Sequence, residues 1–142
     1  MASLAGDVQA RLRAALDARL NLMAGDASVP VRWPNTRGGP PPAAGAWLVP
    51  HSGEAVAAIA SLGGGAVLRG RYVIEAHAPG GTGVAAIEAA ADVVLQAFPP
   101  GLVVDAGAGV LVEVTGFERA ALVVARDMAL LDLAVLWQVA GS

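Results

Sequence analysis

The sequence predicts an α+β fold in which two helices pack on one face of a mainly antiparallel, mixed sheet. Two stretches repeat apolar residues every three or four positions, the spacing of one helix face. Two others alternate apolar with polar residues, the spacing of a half-buried strand. The turn-forming segments between them give the order helix, loop, two or three strands, helix, then three or four strands.

The first helix carries Val8, Leu12, Leu16 and Leu20 on one stripe, with Ala15 and Met23 beside it. Arg11, Arg13, Asp17 and Arg19 fall mostly on its wet side, and Gly25 followed by Asp26 is the expected stop. From there to Ala44 the chain is rich in proline and glycine and reads as a loop or extended arm. Ala46 to His51 is a short strand, with Pro50 pointing to a sheet edge because proline cannot donate to a ladder. Residues 53–65 fit a helical turn or one arm of a long hairpin ending at Gly63-Gly64-Gly65, and the hairpin is the reading adopted.

In Ala66 to Ala78, Leu68, Tyr72, Ile74 and Ala76 face one side, and Arg69, Arg71, Glu75 and His77 the other. A second helix follows, with Val84, Ile87, Ala91, Val94 and Phe98 on its buried face and Glu88 and Asp92 on the opposite flank. Thr82 is its expected N-cap, and Pro99-Pro100 ends it. Leu102 to Asp105 and Val110 to Thr115 flank Ala106-Gly107-Ala108-Gly109, a hairpin signal. Leu122 to Val124 is expected to pair with Met128 onward, across Ala125-Arg126-Asp127. In the last strand Leu131, Leu133, Val135, Trp137 and Val139 share a face, while Asp132 and Gln138 take the other.

At 142 residues the chain is expected to form one domain, residues 1–142, with a core large enough to need no staple. Hydrophobic residues make up 56% and charged ones 15%, so surface is left to bury against a partner and oligomerisation is expected. All nine basic residues are arginine, yet the formal net charge is -3, which argues against wrapping duplex DNA. Without cysteine, disulfides, thiolate metal sites and cysteine nucleophiles are excluded. The first residues mix acid and arginine where a signal peptide needs an apolar run, so a soluble, cytoplasmic product is expected. Ala120 to Ala140 has the length of a membrane span, but Arg126, Asp127 and Asp132 interrupt it and its alternation is that of strands.

Few residues offer chemistry. Gly81-Thr82-Gly83-Val84-Ala85-Ala86 follows a strand, opens a helix and matches the glycine pattern of a dinucleotide site, with Asp105 at the place of a ribose-binding acid. The strand before it carries Arg69, Arg71, Glu75 and His77, whereas a dinucleotide-binding strand is apolar on both faces, so a plain glycine-rich turn is preferred. His51 and His77 have no carboxylate or second histidine at ligand spacing and read as strand-surface residues. Glu88 and Asp92 read as a solvated helix face. No nucleophile, base and oxyanion hole assemble, so neither enzyme activity nor a cofactor is expected. Trp137 reads as core, while Trp33 either covers its own sheet or anchors on a neighbouring subunit.

In order along the chain, the first helix is followed by Trp33-Pro34-Asn35, a proline- and glycine-rich stretch, the strand from Ala46 to Pro50, Leu62-Gly63-Gly64-Gly65 and Arg69-Gly70-Arg71. Then come Ala78-Pro79-Gly80-Gly81-Thr82-Gly83, a helix with Ala91-Asp92 and Phe98-Pro99, and a long alternating strand. Taken together these resemble the phage tail terminator family, the group similar to minor tail protein U, over nearly the whole length. The resemblance implies a structural ring subunit, usually a homohexamer, which caps the tail tube, ends its polymerisation and joins the head connector or head-closure protein. DNA would pass through such a ring without specific binding, and no membrane is involved. The subunit contacts expected on this basis are Trp33, Asn35, Leu62, Arg69 and Arg71. The protein would assemble in the cytoplasm and end in the tail of a phage or of a gene transfer agent, both compatible with the sequence; another neck or tail-completion protein is the neighbouring alternative.

Overall fold

The computed structural model describes residues 4–33, 45–59, 66–79, 84–107, 109–125 and 127–140. Their order is α1 (Leu4–Asp26), β1 (Trp47–Ile59), β2 (Ala66–Pro79), α2 (Val84–Ala97), β3 (Val103–Asp105), β4 (Leu111–Arg119), β5 (Val123–Val124) and β6 (Met128–Ala140). The strands form one sheet in the order β1-β2-β6-β4-β3, with β5 paired to β6 and every strand pair antiparallel. This is the α+β arrangement that the alternating patterns predict. β1 and β2 are the two arms of a hairpin, so the helical-turn alternative for residues 53–59 is excluded.

The central pairing is β2 with β6, in unbroken register from Val67 opposite Ala140 to Pro79 opposite Met128. Within it Gly70 lies opposite Trp137, and a Cβ at position 70 would stand 2.3 Å from the Trp137 indole. The ring fills the space a side chain would need, so glycine at 70 is a packing requirement. β1 is an edge strand. Leu48 turns its N–H and C=O outward, to Pro30 at 2.9 Å and from Arg32 at 2.8 Å, in a short parallel bridge between Val31 and Leu48. By alternation the nitrogen of Pro50 also points outward, where a missing N–H breaks no ladder bond.

Both helices lie on one face of the sheet. From α1 come Leu12, Leu16, Leu20 and Ala24, from α2 Ile87, Ala90, Ala91, Val94 and Ala97, each buried. They meet Leu48, Tyr72, Ile74, Leu131, Leu133, Val135 and Trp137 from the sheet, all in one cluster. Burying each large apolar side chain contributes about 1.5–3 kcal/mol, so this shared face is the main source of stability. Val84, expected on the buried face of the second helix, is 53% exposed, because α2 starts there and its first turn overhangs the core.

The stop expected at Gly25-Asp26 is where α1 ends. The helix runs to Asp26 and closes with Ser28 in the left-handed region (φ 59), Ser28 N–H bonding to Gly25 O at 3.1 Å and Val29 N–H to Ala24 O at 2.8 Å. This is a Schellman closure with serine where glycine is usual, and Val29 packs on the core beside it. Arg19 is not simply on the wet side. Its Nε donates to the Ala97 carbonyl, supplying a cation at the C-terminus of α2, whose own last turn has no basic residue.

Tyr72 ties the layers together. Its ring meets Phe98 edge to face at 5.6 Å and 70°, and its hydroxyl donates to Asp17 Oδ1 at 2.5 Å. Burial, then the hydrogen bond to Asp17 and its charge, push the Tyr72 hydroxyl well above its ordinary value despite the opposing influence of Arg13, so it stays a donor.

Two substitutions check this packing by denaturant unfolding. Gly70→Ala is expected to destabilise by about 1–3 kcal/mol, the range for overpacking a filled core. Tyr72→Phe keeps the ring and removes only the hydroxyl, for a loss of about 1.5–3 kcal/mol, the range for a bond to a charged acceptor. A neutral Gly70→Ala would show that the indole of Trp137 is free to move aside.

Candidate interaction surface

The face of the sheet away from the helices is where the polar residues of each strand collect. Alternation places Trp47, Val49 and His51 of β1 there, with Arg69, Arg71, Val73, Glu75 and His77 of β2 and Leu130, Asp132, Ala134, Leu136 and Gln138 of β6. β4 adds Glu113 and Glu118, opposite Gln138 and Ala134. The bulge between Val114 and Gly116 keeps both glutamates on this face although they are five positions apart in sequence.

Its side chains form three groups. At one end Gln138 Nε2 donates to Glu113 Oε1 at 2.9 Å, and Arg69 stands exposed in the same row. In the middle Arg71 Nη2 reaches Glu118 Oε1 at 3.3 Å, on the far side of β6. The residue of β6 between their strands is the small, buried Ala134. The resulting groove, lined also by Val73, Arg119, Ala120 and Asp132, has a volume of about 470 Å³. Arg71 and Glu118 are both more than half exposed, so their ion pair orients side chains more than it stabilises. At the other end Glu75 sits between two histidines, His51 Nε2 at 3.0 Å from Oε2 and His77 Nε2 at 2.8 Å from Oε1. Trp47 stacks on His77, ring centres 5.4 Å apart and planes 13° from parallel.

The histidines therefore correct the sequence reading. A carboxylate does lie between them, brought there by the β1–β2 register for His51 and by same-face spacing for His77. Among the described residues no group of histidines and carboxylates is arranged to hold a metal ion. Glu88 lies on the solvated face as expected, and there Arg119 grips it through both guanidinium nitrogens, one bond being 2.8 Å. This bond, and less so the charge of Arg119, lowers the Glu88 carboxyl below its ordinary value against a small desolvation effect. Arg119 is raised by the same bond, with Asp92 adding to it.

Of the contact residues expected from the sequence, the described ones fall on two sides of the sheet. Arg69 and Arg71 share the polar face. Trp33 lies on the other side of the sheet, half-buried in a cleft of about 390 Å³ with Ala14, Asp17, Ala18 and Asn21 of α1. It lines that cleft beside the helix, away from the arginines. Asn35 and Leu62 lie outside the described residues, as do Thr82 and Gly81 to Gly83 of the glycine turn. The strand before that turn is antiparallel to both neighbours, so it is not the parallel strand of a dinucleotide-binding unit. The sequence reading missed exposed apolar residues at both ends of one sheet margin: Val103 of β3 and Leu111 of β4 at one end, and Val123 and Val124 of β5 at the other, are each more than half exposed. Their signal was two short strands at the sheet margin carrying valine on both faces.

Fold and surface define a small α+β protein with a polar sheet face and an exposed apolar margin. A family model described as phage tail terminator protein matches residues 11–126, and the chain belongs to that family. It is accordingly a phage tail structural protein, of a family that is structural and not enzymatic. One solved chain is 26% identical over 92% of this chain and 94% of its own, with a TM-score of 0.71. A chain of the virion of a native gene transfer agent particle shares the fold at 23% identity and TM-score 0.66, covering 94% of this chain and 98% of its own. No curated protein matches the chain. No helix among the described residues is long and apolar enough to cross a membrane.

The Glu88–Arg119 pair carries a pH signature. The folded carboxyl titrates below the unfolded one, so its contribution is complete above about pH 4.3 and is lost as pH falls through the lowered folded value. Glu88→Gln is expected to be less stable than the unsubstituted protein at pH 7, the difference vanishing in strong acid; thermal unfolding across pH checks this. An equal difference at every pH would mean that the charge of Glu88 plays no part.

Proposed function

We propose that this protein is the subunit of a ring, a homohexamer, that caps the tail tube, ends its polymerisation and joins it to the head connector. The single observation carrying this reading is the family match over residues 11–126. In it the whole chain, residues 1–142, acts as one tail-terminator domain, without catalytic activity, assembling in the cytoplasm and ending in the tail of a phage or a gene transfer agent. DNA passes through without specific binding.

Two surfaces support a ring. The apolar margin of Val103, Leu111, Val123 and Val124 offers hydrophobic area at an open sheet edge. The opposite edge is covered at Leu48 by the Pro30–Arg32 bridge, so the two edges are unlike and suit head-to-tail contacts between copies. On this reading Trp33, Asn35, Leu62, Arg69 and Arg71 remain candidate contacts, Arg69 and Arg71 through the polar face and Trp33 through the α1 side.

Electron microscopy of particles made without this protein tests the assignment. Overlong tails or tails without heads are expected; normal, joined tails would overturn it, and heads leaking DNA with normal free tails would favour a neck protein instead.

A further inference from the structure

We infer that His51, Glu75 and His77 form a proton-responsive clasp, which fastens the edge strand β1 to β2 more tightly as the solution turns acid. His51 lies on β1 and the other two on β2, so the bond from His51 to Glu75 crosses between the strands at 3.0 Å while His77 holds the other oxygen at 2.8 Å. Trp47 of β1 then crosses back to stack on His77. Four side chains thus link the two strands through three successive contacts. The side chains are 43%, 31% and 19% exposed for His51, Glu75 and His77, open enough for solvent protons and sheltered enough to feel one another.

With both imidazoles neutral, each Nε2–H donates to one oxygen of the Glu75 carboxylate, and each Nδ1 is left to take a proton. Histidine is the side chain whose ordinary titration falls between pH 5 and 8. A proton on His51 or His77 turns a neutral donor into a charged one, and charge-assisted bonds are roughly twice as strong. A charged His77 ring also meets the face of Trp47 as a cation. Other charges face this cluster. Asp132 of β6 is exposed and lies directly opposite Glu75, favouring protonation as Glu75 does. Arg71 of β2 opposes it but is held by Glu118, and Arg32, on this face beside β1 by alternation, opposes it too. The two histidines oppose each other. α1 and α2 pack on the other face and contribute no charge here.

The clasp acts on the half of β1 before its bulge at Ser52–Ala55, where Pro50 leaves the outer edge one donor short. Acid thereby stiffens this edge with no change of register. The inference does not depend on the tail reading, since it concerns one chain.

Hydrogen exchange of the intact protein tests it at Val49 and His51, whose amides point toward β2. After correction for intrinsic rates, their protection should be on the order of fivefold greater at pH 5 than at pH 8, the gain expected when bonds become charge-assisted. Glu75→Gln should abolish the gain. Trp47 emission should fall over the same pH interval, and His77→Gln or Trp47→Phe should remove that fall. Equal protection at both pH values, or an undiminished gain in Glu75→Gln, would overturn the clasp. Should Glu75→Gln loosen β1 altogether, the emission decides: an acid-induced fall that persists in His77→Gln overturns it.

Discussion

The fold depends on one close approach, the Trp137 indole lying where a side chain at position 70 would be. That contact sits inside the β2–β6 ladder, the pairing that joins the first hairpin to the rest of the sheet among the described residues. It fixes which residues of β2 and β6 stand opposite each other, and a slip of one residue would exchange the two faces. Tyr72, two residues on, is thereby aimed at the helices, where it meets Phe98 at the end of α2 and Asp17 on α1. Both helices are located by a side chain whose own position follows from the Gly70–Trp137 pair.

Holding the register also sorts the surface. The helix side takes Tyr72, Ile74, Leu131, Leu133, Val135 and Trp137 of β2 and β6, so the charged residues of the same strands have one place to go. There they find partners on neighbouring strands: Arg71 with Glu118, Gln138 with Glu113, Glu75 with both histidines. The polar face is largely self-satisfied, which leaves the apolar margin at β3, β4 and β5 as the surface least content with water. For a chain of a tail terminator family, association with other particle proteins is then expected through the margin before the polar face.

Strand faces were legible because alternation is a local property: Leu131, Leu133, Val135, Trp137 and Val139 are all buried, as their spacing requires. Partners across strands were not legible, because they depend on register. His51 looks isolated in sequence, and only its position opposite Val73, one pair from Glu75, gives it a carboxylate. Arg119 and Glu88 are likewise joined by the packing of a helix over the sheet. The helix stop at Gly25-Asp26 was legible too, but its closing residue was not: the left-handed closure forms at Ser28, where Val29 can reach the core. Of the surface residues expected from the resemblance, Arg69 and Arg71 share a face because they are two apart on one strand. Trp33 does not join them because alternation beside the Val31–Leu48 bridge turns it to the α1 side.

Capping is the central claim, and it is a claim about ends. The most direct measurement is the length of tubes assembled from the tail tube protein of the same particle, with and without this protein in the mixture. Tubes should shorten as its proportion rises, with the protein found at one end of each. Tubes of unchanged length, or protein spread along their sides, would contradict the account.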